Sequence, residues 1–131
     1  YNFCVVGKGQ YYKINNKPDN IHWINKVLSH DEIIELLNQS KCALMPTRLD
    51  AQGVMTCEMA TFGIPVITSN IDVCKEMFDE FENVRYIDNN QPLNEFDLAF
   101  EELKKVSSND NTKFHASQTV AKEIELFQEL S

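Results

Sequence analysis

The sequence predicts an α/β fold, a parallel sheet with helices on both faces. Short apolar runs recur along the chain, and segments with apolar residues at helical spacing separate them. Gly, Pro and capping residues stand at the joints. That alternation is what strand–helix–strand units require, because a parallel strand can follow another only through a crossover.

The elements follow in order. Asn2–Val6 reads as a buried strand with almost nothing ahead of it, and with no initiator Met the sequence reads as a piece of something longer. Ile21–Ile24 is the second strand. Ser29-His30-Asp31-Glu32 then supplies a cap and early carboxylates for a helix whose Ile33, Ile34, Leu36 and Leu37 cover a sheet face. Cys42–Pro46 is the third strand. Gly53 to Phe62 is a short helix stopped by Gly63, and Pro65 opens the strand 65–68 at a position where its missing N–H is tolerated. Asp72 to Phe78 forms a brief helix and Val84–Ile87 a fifth strand. Asn94 to Val106 is a longer helix with Phe96, Ala99, Phe100, Leu103 and Val106 on one stripe. After the polar break 107–110, Asn111 to Leu130 has helical period again. No internal repeat or long linker divides the chain, so 1–131 reads as one domain.

Composition narrows the function. With 131 residues and 43% hydrophobic content the chain can bury a core without staples. A formal charge of −8, from 12 Lys and Arg against 20 Asp and Glu, leaves no cationic surplus for phosphate backbones, so nucleic acid is excluded as a partner. The four cysteines stand singly, without a C-x-x-C pair or a His spaced to complete a zinc site, and read as reduced thiols of a cytoplasmic protein; no metal is expected. His22, His30 and His115 are scattered, and none suits a catalytic triad. Lys8-Gly9 lacks the spacing of a phosphate-binding P-loop.

In an open parallel sheet, ligands bind outside the carboxyl ends of the strands. The segment from Pro46 to Glu58 runs from such an end into a helix. The first-turn N–H groups of Gly53, Val54 and Met55 have no intrahelical partners and suit anionic or hydroxyl oxygens. Asp50 just outside the helix and Glu58 within it would border one pocket, and paired acceptors suit the many O–H donors of a sugar. An N-terminal cap and a solvated helix Glu fit the same spacing.

The run Pro46-Thr47, Asp50-Ala51-Gln52-Gly53 and Glu58-Met59-Ala60-Thr61-Phe62-Gly63-Ile64-Pro65-Val66-Ile67 resembles the glutamate-x7-glutamate signature of family 4 glycosyltransferases. Val5-Val6-Gly7-Lys8-Gly9 is similar to that family's strand and glycine turn, and Ile21 to Val27 to its strand before the base-binding loop. The likeness covers about Tyr1 to Asn90. It implies a Rossmann-like domain, the C-terminal half of a GT-B fold without its first βα unit.

By that resemblance Glu58 would accept hydrogen bonds from the ribose hydroxyls of a nucleotide, and Asp50 would hold hydroxyls of the donor sugar. Gly53, Val54 and Met55 would meet the sugar or the diphosphate. Val27 and Ser29 would meet the nucleobase, largely through backbone groups, and Gly7 and Gly9 would shape a turn near the cleft. The implied reaction is retaining hexosyl transfer from a nucleoside-diphosphate sugar to a glycan or lipid-linked acceptor, without cofactor or metal, in bacterial surface polysaccharide synthesis. The acceptor would sit on an N-terminal domain, the longer enzyme would associate peripherally with the inner face of the membrane, and the fragment alone would be inactive. Two departures stand out: Asp50 where the family usually has Glu, and Asn25 where it typically has Gly. A non-catalytic nucleotide- or sugar-binding module and a nucleotide-sugar epimerase of GT-B type are the rival readings.

Overall fold

The computed structural model describes residues 1–49, 53–106 and 128, and the chain divides into two compact units, 1–39 and 40–131. The expected helix Asn111 to Leu130 falls, except for the helical Gln128, outside the described residues.

The first unit is one strand–helix–strand turn followed by a helix. Strand β1 (Phe3–Val6) pairs in parallel with β2 (Ile21–Ile24), Phe3 opposite Ile21 and Val6 opposite Ile24. A single helical turn, α1 (Tyr11–Ile14), lies between them. It is too short to show a period in the sequence. Tyr12 packs edge-on against Trp23, with ring centroids 5.6 Å apart. Helix α2 (His30–Asn38) starts with a capping box: the Ser29 hydroxyl accepts from the Glu32 N–H, and the Glu32 carboxylate accepts from the Ser29 N–H. Lys26, 2.7 Å from Glu32, adds a hydrogen bond that holds this carboxyl below the usual range.

The second unit holds the core. Strands β3 (Ala43–Met45), β4 (Val66–Ser69) and β5 (Val84–Ile87) form a parallel sheet in that order. Helix α3 (Val54–Thr61) joins β3 to β4, α4 (Asp72–Phe78) joins β4 to β5, and α5 (Pro92–Leu103) follows β5. All four residues of β4 are buried, which requires cover on both faces. Alternation divides them. Ile67 and Ile87 point to one face and pack with Ala99, Phe100 and Leu103 of α5. Thr68 points to the other, where its hydroxyl meets the Cys74 thiol of α4 at 3.7 Å and donates to the Met45 carbonyl. The Rossmann-like α/β arrangement read from the sequence is therefore present.

Burial has a measurable consequence at alkaline pH. It pushes the Cys42 thiol up to about 11 and the Tyr86 phenol up to about 12. Each group holds its proton more tightly folded than unfolded. The stability they contribute is complete below the unfolded values of 9.0 and 10.0, and is lost as pH rises toward 11 and 12. The urea midpoint is expected to fall across that window, less steeply in a Cys42→Ser/Tyr86→Phe double variant. Identical slopes for parent and variant would contradict this.

Candidate functional site

Parallel strands deliver all their exits to one end of a sheet, and in each unit side chains tie those exits together. In the first unit the Gly7 N–H donates to the Ile24 carbonyl, and the Trp23 indole N–H donates to the Gly7 carbonyl at 3.1 Å. The Gly9 N–H donates to the Asn25 side-chain oxygen, also at 3.1 Å. Asn25, the departure from the family pattern, is thus a partner of the glycine turn. Gly7 has φ of +142°, where a side chain would be strained, while a Cβ at Gly9 would meet nothing within 4 Å.

Of the residues expected at the base-binding end, Val27 is exposed beyond β2. Ser29 is committed to α2: its hydroxyl and N–H serve the capping box, and its carbonyl accepts from the Ile33 N–H. Gly7, Gly9, Val27 and Ser29 all follow strand ends of this unit.

In the second unit, β3 exits at Pro46 and Thr47 and the chain returns as α3. Asp50 lies outside the described residues. Gly53 stands at the N-cap of α3 and has no side chain with which to cap it. The helix is two-faced. Thr56, Cys57, Met59 and Ala60 are buried, whereas Val54 (59% exposed), Met55 (45%) and Glu58 face outward. Val54 and Glu58 are one turn apart on that outer face. The structure therefore places four of the expected residues, Gly53, Val54, Met55 and Glu58, on one short helix, with Val54, Met55 and Glu58 exposed among the described residues. Arg48 and Leu49, in the connection from β3, are exposed as well.

The other end of α3 is fixed. Asn83, 4% exposed, donates from its side-chain nitrogen to the Ala60 carbonyl at 3.0 Å and to the Ile64 carbonyl at 2.8 Å. Its own carbonyl accepts from the Val66 N–H, so one residue joins the end of α3, the turn after it and the start of β4.

Two further groups escaped the sequence reading. Ser69, at the end of β4 and fully buried, and Asn89, two residues past β5, are bonded to each other and to the backbone of Thr47. Only the pairing itself reveals them, since Thr47 and Asn89 lie 42 positions apart. Among the described residues no group of three His, Cys, Asp or Glu side chains is placed to hold a metal ion. No described helix is long and apolar enough to cross a membrane.

Parallel strands joined through helices define an α/β protein of the Rossmann-like class. Residues 1–118 match the family of Glycosyl transferases group 1, and the chain belongs to that family of glycosyltransferases. Among curated proteins it is similar to two forms of the O-antigen biosynthesis glycosyltransferase WclY of Escherichia coli, each 42% identical over 50 residues. Those 50 residues are 38% of this chain, and the chain spans 14% of the length of these relatives. No solved structure matches it.

Proposed function

We propose that this chain is the donor-binding part of a glycosyltransferase and that it seats a nucleoside-diphosphate sugar at the start of α3. The observation that carries the reading is the exposed first turn of α3, which follows β3 and starts at Gly53, with Glu58 on the same face, in a chain of the group 1 family. Glu58 accepts hydrogen bonds from the ribose hydroxyls. The N–H groups of Gly53, Val54 and Met55 face the diphosphate or the sugar, where the positive end of the helix favours negative charge. Asp50 holds sugar hydroxyls.

The chemistry is hexosyl transfer with retention and without a metal. The bond between the anomeric carbon and the diphosphate oxygen breaks, and its electron pair leaves with the diphosphate. The acceptor oxygen bonds to the anomeric carbon and gives up its proton to the departing diphosphate. Charge building on the leaving diphosphate is what the α3 amides stabilise. The acceptor is a glycan or lipid-linked sugar held by a further domain, at the inner face of the membrane. The WclY relatives, named for O-antigen biosynthesis, support a surface polysaccharide as product.

Titration of the chain with UDP, GDP and their sugar conjugates, followed by amide shifts, tests the reading. Shifts are expected to centre on Gly53 to Glu58. Glu58→Ala should weaken binding about ten-fold, the worth of one hydrogen bond to a charged group. Equal affinity of parent and variant would sink the ribose role, and shifts elsewhere would sink the site.

A further inference from the structure

Thr47 is the second residue beyond β3, past the last ladder bond that could hold it, yet both of its peptide groups are held. Its N–H donates to the Ser69 hydroxyl at 2.7 Å, and its carbonyl accepts from the Asn89 side-chain nitrogen at 2.8 Å. The Ser69 hydroxyl closes the ring by donating to the Asn89 oxygen at 2.8 Å. The direction of every bond is forced. A peptide N–H can only donate, so the Ser69 oxygen accepts and its single hydrogen is left for Asn89. The Asn89 amide must then turn its oxygen to Ser69 and its NH2 to Thr47.

The ring joins the exits of all three strands of the second unit: Thr47 after β3, Ser69 ending β4 and Asn89 after β5. The Thr47 hydroxyl carries the hold forward by donating to the Leu49 carbonyl at 3.2 Å. We propose that Ser69 and Asn89 are positioning residues for the donor, and that this ring sets where the connection from β3 to α3 leaves the sheet. The inference rests on the donor site proposed at the start of α3. Neither side chain reaches the donor. They act through Thr47, and no sheet ladder duplicates their bonds.

The test compares the 131-residue chain with Asn89→Asp and Asn89→Ala by amide hydrogen exchange and by UDP and GDP titration. Asn89→Asp keeps the size and an oxygen for Ser69, but it turns an acceptor toward the Thr47 carbonyl. Exchange is expected to rise about ten-fold in 47–49 and 53–56, as local opening becomes easier, while β5 and α5 keep the parent rates. Nucleotide affinity should fall in step. Asp97→Asn, an exposed change on α5 away from the ring, is the control and should match the parent.

A rise spread evenly over 40–106 in both variants would reduce the ring to a stability element and overturn the proposal. So would unchanged exchange, or faster local exchange with unchanged affinity. Failure of the parent itself to bind nucleotide would remove the donor site and this role with it. The exchange pattern would then still show whether the ring holds the strand exit, so the two failures are distinguishable.

Discussion

Replacing Phe78 by Ala is expected to cost about 3–5 kcal/mol, the range for truncating a buried phenylalanine. Phe78 closes α4, is 2% exposed, and meets Phe81 edge to face with centroids 6.0 Å apart. The substitution removes the ring and its aromatic partner interaction together, and leaves a cavity beside Phe81. Because whole domains are stable by only about 5–15 kcal/mol, the second unit of the variant should sit near its unfolding midpoint at modest urea. The choice of probe matters. The single tryptophan, Trp23, belongs to the first unit, so far-ultraviolet circular dichroism is needed to follow α3, α4 and α5. Phe78→Leu should recover most of the loss. An Ala variant that loses less than about 1 kcal/mol would show that α4 does not pack as described.

Asn83→Ala is expected to cost about 1–3 kcal/mol, the range for one carbonyl left without its donor away from water. The Ile64 carbonyl loses the Asn83 donor, whereas the fully buried Ala60 carbonyl loses one donor and keeps the Gly63 N–H at 3.1 Å. The Val66 N–H bond to the backbone of residue 83 survives the substitution. The expected signature is therefore a loosened end of α3 with β4 intact, visible as faster exchange in 59–64. Asn83→Asp distinguishes hydrogen bonding from volume. It preserves size, but its carboxylate cannot donate, so it should destabilise the chain at least as much as Ala in denaturant titrations near neutral pH. A well-tolerated Asp would mean that water or another group already serves those carbonyls.

These residues also mark where the sequence was legible. Strands β2 and β5 and helix α4 have the bounds read from apolar runs and caps, because each is framed by local turn chemistry. Helix α5 begins at Pro92 rather than Asn94, since proline suits the first turn of a helix. It ends at Leu103 because Lys104 and Lys105 turn away before Val106. Helix α1 was invisible, as four residues carry no period. The start of α3 was legible through the motif around Gly53 and Glu58. The ties among Ser69, Asn89 and Thr47, and between Asn83 and Ala60, join positions 20 or more residues apart, and nothing in local patterning encodes such pairings. Asn25, which read as a departure, proved to be a hydrogen-bond partner of Gly9.

Helix α3 is anchored at its tail by Asn83, and the exposed Val54 and Met55 stand at its head. The contacts that hold the fold therefore gather on one side and at one end of the same short rod. Changes at Val54 or Met55 need not disturb the buried Met59 or Ala60, so the outer end is free to vary in sequence without eroding the interior that keeps the chain folded.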